Sequence, residues 1–246
     1  LTSPHTWDTW DYFLKSPVCI PHTQDPVLYG IRGDSSFSVC HAISLIRSEP
    51  PDLIQIWMTN QGTDAHLLPG LIPDLKEGRS YLVAGTVDQA PVTTEGGHVT
   101  FSLRDQGACV SCMAFEPTKK FREIVRSLRS GDRVLVAGSY LRSSMNLEKI
   151  CIVSLSRAGI HKAPICPECN KLMTSAGTGK GYKCRRCGRH DMNPEILYEE
   201  RTVLPGWYEV PPGARRHLAR PVIRGNVPED ASYLPVNRAK TQESRE

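Results

Sequence analysis

No stretch of the 246 residues approaches the ~18 consecutive apolar positions that a membrane-spanning helix requires, which argues against a membrane protein. The opening Leu1-Thr2-Ser3-Pro4 has neither the basic nor the apolar part of a secretory leader, so a cytoplasmic location is expected. With no initiator methionine ahead of Leu1, the chain is expected to be a fragment. A complete phosphate loop is also missing. Ser175-Ala176-Gly177-Thr178-Gly179-Lys180-Gly181 lacks both the six-residue GxxxxGK frame and a following helix, and no kinase-type signature occurs anywhere. Adenylyl or phosphoryl chemistry carried by these residues alone is therefore not expected. What remains is 39% apolar, enough for the cores of one to three small domains.

Nine cysteines are present, and four of them fall as Cys166-Pro167-Glu168-Cys169 and Cys184-Arg185-Arg186-Cys187. Two CxxC pairs at this separation match the template in which each knuckle presents two thiolates to one ion, and a hairpin between them closes the tetrahedron. The spacing predicts a zinc ribbon, with structural zinc held by Cys166, Cys169, Cys184 and Cys187. Free thiols or a disulfide pair are the alternatives, disfavoured by the missing leader. A catalytic zinc is disfavoured because four thiolates leave no position open for water.

Charge is unevenly placed. Residues 1–78 carry four basic and nine acidic groups, residues 79–157 eleven and seven, and residues 158–246 fifteen and ten. Any polyanion-binding surface is expected in the last two-thirds. From His161 to His190 seven cationic side chains stand against Glu168 alone, an excess that survives the negative charge of a four-thiolate zinc.

Taken in order, Val27–Ile31 reads as a short buried strand. Asp34-Ser35-Ser36 caps a helix carrying Phe37, Cys40 and Ile43 inward, and Leu53–Thr59 reads as a second strand. These elements make part of an α+β domain, to about residue 67, with a linker over 68–78. The polar run Asn60–His66 is either a solvated exit loop or a functional one. Residues 79–157 alternate more clearly. Three strands, a helix starting at Pro117, and two more strands follow the order of an OB-fold, a small Greek-key barrel that binds nucleic acid on strands 2 and 3. Cys109 and Cys112 imitate a knuckle, but positions i and i+3 of a strand face opposite ways, so they read as strand residues. The ribbon occupies 158–200, and residues 201–246 form a basic, aromatic segment ending in a polar, disordered tail. The expected RNA contacts are His98 and Arg104 on the barrel, Lys180, Lys183, Arg185 and Arg186 on the ribbon, and Arg215 and Arg216 beyond it.

The succession Pro26-Val27-Leu28-Tyr29-Gly30-Ile31-Arg32-Gly33, Thr59-Asn60-Gln61-Gly62-Thr63-Asp64-Ala65-His66, Glu116-Pro117-Thr118-Lys119, the ribbon, and Tyr208 through Leu218 resembles the C-terminal half of the archaeal tRNA(Ile) 2-agmatinylcytidine synthetase family. The resemblance covers about residues 20 to 224. It implies a multidomain α+β and all-β chain: the end of a ferredoxin-like domain, an OB-fold and a zinc ribbon. It further implies an ATP-dependent ligase acting with tRNA and agmatine, agmatine being attached to the wobble cytidine of a CAU anticodon. The family's kinase-like catalytic domain has no counterpart in these residues, so ATP and magnesium are expected to enter only through such a domain in the same natural chain. Within that frame Asn60, Thr63 and Asp64 are the candidate agmatine contacts, since a carboxylate is the acceptor that a guanidinium fork prefers. A non-enzymatic OB and ribbon subunit that binds single-stranded nucleic acid is the rival reading.

Overall fold

The computed structural model describes residues 5–12, 14–24, 26–157, 159–198 and 200–225. The tail expected to be disordered falls almost wholly outside them. The chain divides into two compact units, one made of residues 1–155 and 203–246 and the other of residues 156–202. Among the described residues no helix is long and apolar enough to cross a membrane.

The first unit starts with four two-residue strands: β1 (Thr6–Trp7), β2 (Trp10–Asp11), β3 (Ser16–Pro17) and β4 (Arg32–Gly33). β1 pairs antiparallel with β4, and β2 with β3. Helix α1 (Ser36–Leu45) follows, its first turn capped by the Ser35 hydroxyl, which accepts from the Ser38 N–H. Two expectations fail here. Neither Val27–Ile31 nor Leu53–Thr59 forms a strand, and α1 buries Ala42 while Phe37 and Cys40 stay exposed. An extended segment becomes a strand only when a neighbour accepts its ladder hydrogen bonds. Leu53–Thr59 has no such neighbour among the described residues, and Leu53, Trp57 and Met58 are exposed.

The barrel is built from β6 (Ser80–Thr93), β7 (Val99–Asp105), β8 (Ala108–Ala114), β9 (Arg133–Leu141) and β10 (Ser144–Ser154), preceded by the short β5 (Leu67–Pro69), with helix α2 (Lys120–Arg126) between β8 and β9. β6 pairs with β9 through its first half and with β7 through its second, bending at register shifts beyond Val87. β7 pairs with β8, β8 runs parallel to β10, and β10 returns to β9, so the five strands close on themselves. The alternation seen in the sequence is obeyed: Val99, Phe101 and Leu103 are inside, with Val110, Cys112 and Ala114 of β8 opposite. Cys109 is exposed and Cys112 fully buried, as their i, i+3 spacing in a strand demands. Phe121, Val125 and Leu128 join the same core from the α2 side. The helix begins later than Pro117 because Glu116–Thr118 forms a 3₁₀ turn and Lys119 takes a positive φ of 42°. The supposed linker belongs to the barrel: β5 pairs parallel with β6, and Ile72 joins the core.

One irregularity positions the site. The inward residues of β10 run Met145, Leu147, then Ile150, Ile152, with a register shift against β9 between Leu147 and Lys149. The bulge inserts one residue, so the neighbours Glu148 and Lys149 both lie off the hydrocarbon core and are both buried.

The second unit pairs β11 (Gly159–Lys162) with β15 (Glu195–Tyr198), and contains a three-stranded sheet of β12 (Thr174–Ser175), β13 (Tyr182–Lys183) and β14 (His190–Asp191). The chain then re-enters the first unit as β16 (Gly206–Glu209), antiparallel to β10. Val203, Val210 and Ala219 are buried, so residues 203–225 are a structural wedge of the first unit.

Candidate functional site

The knuckles are built alike. In each, the residue after the second cysteine has a positive φ (Asn170, 50°; Gly188, 80°), which lets its N–H turn back onto the carbonyl of the first, Cys166 or Cys184. The four Sγ atoms lie within 4.8 Å of one another, with Cys166 and Cys187 3.6 Å apart. A zinc ion with bonds of about 2.3 Å in a tetrahedron separates its sulfurs by about 3.8 Å, which matches. The backbone N–H groups of Cys187 and Arg186 point at the Cys184 sulfur and lower that thiol, while burial and the neighbouring sulfurs raise Cys169 and Cys187, as expected of thiols crowded together. Among the described residues, the apolar cluster here adds to its cysteines only Met173 and a partly buried Tyr182. The four cysteines hold a structural zinc.

Around this centre, Arg189 donates to Glu168 at 2.8 Å and so ties the two knuckles together. Lys180, Lys183, Arg185 and Arg186 are exposed, and no carboxylate pairs with them among the described residues. The run Gly177–Gly181 is the tip of the β12–β13 hairpin and has no helix behind it. On the barrel, Arg104 is exposed and pairs with Asp88 at 2.7 Å. His98 accepts from the Glu116 N–H through Nδ1, which leaves its proton on Nε2, and its ring stands edge-on to Phe115.

The remaining predicted contacts sit elsewhere. Arg215 is nearly fully buried, donating to Asp8 and, at 2.7 Å, to Glu209. Its guanidinium is enclosed by two carboxylates and is not available to RNA, which corrects the sequence expectation. Arg216 is half exposed and donates to Ser80 and Glu148. Asp64 also has partners within the protein. Its Oδ2 accepts from the Lys149 ammonium at 2.5 Å and its Oδ1 from the Arg220 N–H at 2.7 Å, so each oxygen already serves the protein with one of its lone pairs. Thr63 donates to the Asn60 carbonyl and accepts from the Ala65 N–H, closing a local turn.

Together these groups form a clasp. The N–H groups of Gly62, Thr63 and Asp64 donate to the carbonyls of His217 and Leu218, and the Lys149 ammonium also donates to the Arg220 carbonyl at 2.7 Å. His66 bonds to Glu148 at 2.9 Å, and Arg224 donates to the Gly62 carbonyl while its guanidinium lies 3.8 Å over Trp7. Gly62 is required, because its φ is +63° and a Cβ there would come within 2.8 Å of the Trp7 ring. Sequence reasoning missed His66, Glu148 and Lys149. The available signal was two adjacent charges interrupting the apolar alternation of β10, which marks a bulge.

The clasp carries a pH signature. Burial pushes Asp8 and Glu209 above their ordinary values, outweighing Arg215, so their stabilising contribution is lost as pH rises through the folded pKa. For Glu148 burial also acts upward, but the bond from His66 and the charge of Arg216 win and hold it below 4.5. Its contribution is present at neutral pH and lost as pH falls through that lowered value. The urea midpoint is expected to rise as pH falls through the raised folded values of Asp8 and Glu209, and the Glu148 contribution to be lost only below pH 4.5. Glu148→Gln should shrink the acid fall and keep the rise; an unchanged acid limb would show that other carboxylates control it.

Comparison with known proteins places these features in context. Family models for the TiaS FLD domain, an OB-fold nucleic acid binding domain and the TiaS C-terminal zinc ribbon domain match residues 1–66, 81–148 and 163–203. The isoleucine-tRNA 2-agmatinylcytidine synthetase TiaS of Methanosarcina mazei is 50% identical over 226 residues, covering 91% of this chain and 53% of the relative. That of Archaeoglobus fulgidus is 46% identical, covering 91% and 54%. Among solved structures, apo TiaS superposes with a TM-score of 0.79 at 45% identity, covering 92% of this chain and 55% of that one. The complex of TiaS with its isoleucine tRNA and ATP gives 0.82 at 43% identity, covering 92% and 54%.

Proposed function

The chain belongs to the TiaS family and spans about half the length of the curated relatives it matches, and on that premise we propose that it is the tRNA-binding portion of an ATP-dependent enzyme that attaches agmatine to the wobble cytidine of an isoleucine tRNA. The carrying observation is the coexistence in one chain of a closed OB barrel and a four-cysteine ribbon carrying four exposed cations, Lys180, Lys183, Arg185 and Arg186, without carboxylate partners among the described residues, in a chain 43% identical to the protein of a complex with tRNA and ATP. Unpaired, solvent-facing Lys and Arg side chains contact phosphates, and the outer face of strands 2 and 3 of such a barrel receives unstacked bases. We assign His98, with its Nε2–H, to that face and Lys180, Lys183, Arg185 and Arg186 to the phosphates; Arg104 and Arg216, already paired with Asp88 and Glu148, would have to exchange a carboxylate for the ligand. The zinc is structural, since a closed thiolate shell offers no Lewis-acid position. ATP, magnesium and the cytoplasmic setting of the reaction belong to the same proposal. The described residues present no phosphate cradle, so nucleotide binding falls to the part of the relatives that this chain does not span. Agmatine at the Asn60–Asp64 turn would have to use the lone pairs that Lys149 and Arg220 leave on the Asp64 carboxylate.

The test is binding of tRNA against oligo-dT of equal length, followed over salt. Structured tRNA is expected to bind more tightly, with a steep log–log salt dependence. Reversing Arg185 and Arg186 to Glu should flatten that slope by roughly 0.7–0.9 for each phosphate the ribbon ceases to touch. Equal or stronger binding of oligo-dT would favour the single-strand-binding alternative. An unchanged slope in the reversed variant would remove the ribbon from the interface.

A further inference from the structure

Several arginines of the first unit are neutralised where they stand: Arg104 by Asp88, Arg122 by Glu116, Arg126 by Glu123, Arg215 by Asp8 and Glu209, Arg216 by Glu148. Arg32, on β4, is different. Its Nε donates to the Gln61 side-chain oxygen at 2.6 Å and its Nη2 to Nδ1 of His217 at 2.6 Å, and among the described residues no carboxylate pairs with it. A guanidinium has no acceptor, so His217 Nδ1 must be the accepting, unprotonated nitrogen of a neutral imidazole. Both partners of this cation are therefore uncharged. Asp8, a carboxylate that feels its charge, is buried and already bonded to Arg215.

The positions of both groups are fixed. Arg32 is held by the β1–β4 pairing opposite Trp7, and His217 by its own carbonyl, which accepts from the Gly62 N–H at 2.8 Å. The imidazole tautomer leaves its Nε2–H on an exposed residue, and the second terminal nitrogen of Arg32 has no partner among the described residues. A rigid, uncompensated cation beside a second donor is a site for an oxyanion, because little side-chain entropy remains to be lost on binding.

We infer that Arg32 and His217 form a phosphate-gripping pair that contacts the RNA backbone from the acidic first third of the chain, a region whose net charge otherwise repels it. The inference rests on the tRNA-binding reading above. It assigns to Gln61 the role of holding the guanidinium in plane, so that the free edge of the fork is presented to the ligand.

The experiment is tRNA binding by the full 246-residue chain over a salt series, with thermal unfolding recorded on the same samples. Arg32→Gln is expected to flatten the log–log slope by roughly 0.7–0.9, as for one phosphate, and Arg32→Lys to keep the slope while weakening affinity several-fold through loss of the fork. If both variants lower the melting temperature yet bind with the wild-type slope and affinity, the pair only stitches β4 to the 217–218 turn, and the inference is overturned. A wild-type chain that shows no salt-dependent tRNA binding would overturn both this inference and the function on which it rests.

Discussion

Removing zinc is expected to unfold residues 156–202 and to leave the barrel standing. A structural zinc contributes on the order of 10–16 kcal/mol of binding free energy to a small site, and the ribbon has little to set against its loss. Its buried apolar set amounts to Cys166, Cys184 and Met173 among the described residues, and the ligands themselves are most of the core. The barrel has an independent core of about twenty buried side chains from five strands and α2 and should melt as before. Treatment with a chelator, followed by limited proteolysis and mass spectrometry, should show cleavage confined to the ribbon. Cys184→Ser, which removes a buried ligand, should give the same pattern without chelator. Elemental analysis should give one zinc per chain, and a ribbon that resists protease after demonstrated metal loss would refute the assignment.

Lys149→Met is expected to destabilise the first unit by about 3–5 kcal/mol, a large share of what holds a domain of this kind together. Lys149 is 1% exposed, and its ammonium bonds to the Asp64 carboxylate and the Arg220 carbonyl. Deleting it leaves a partly buried carboxylate, 22% exposed, that still accepts from the Arg220 N–H but has lost its countercharge. Asp64→Asn should cost a comparable amount, because the ammonium keeps a carbonyl but loses its countercharge. The double variant should cost less than the sum, since it leaves neither charge alone. Urea denaturation of the four proteins measures the coupling. Single variants each costing under about 1 kcal/mol would show that the ion pair is solvated in solution and that the backbone bonds of Gly62, Thr63 and Asp64 carry the clasp.

The barrel and the ribbon were legible in the sequence because each is written in a local pattern: alternation in Val99–Leu103, and the CxxC spacing. The clasp was not. Asp64, Glu148, Lys149 and Arg215 are chemically indistinguishable from surface charges in a linear sequence, and only long-range pairing, across 85 positions between Asp64 and Lys149, turns them inward. The arginine-rich stretch 215–224 misled for the same reason. Its composition suits a phosphate-binding tail, whereas Arg215, Arg220 and Arg224 donate to protein oxygens. Leu53–Thr59 has the composition of a strand but lacks a neighbouring ladder, and propensity alone does not supply one.

The first unit is made from both ends of the chain with the ribbon spliced between them, and this sets an order of assembly on the ribosome. When Lys149 has been synthesised, Arg220 and the β16 edge that covers β10 do not yet exist. The intervening residues 156–202 take roughly 2–10 s to translate at ordinary speeds. During that interval the nascent barrel exposes the outer edge of β10 together with a cation that has the Asp64 carboxylate but still lacks the Arg220 carbonyl. The ribbon, local in sequence and needing only a metal ion, can close first, so zinc supply acts while the rest of the molecule is still waiting for its final wedge.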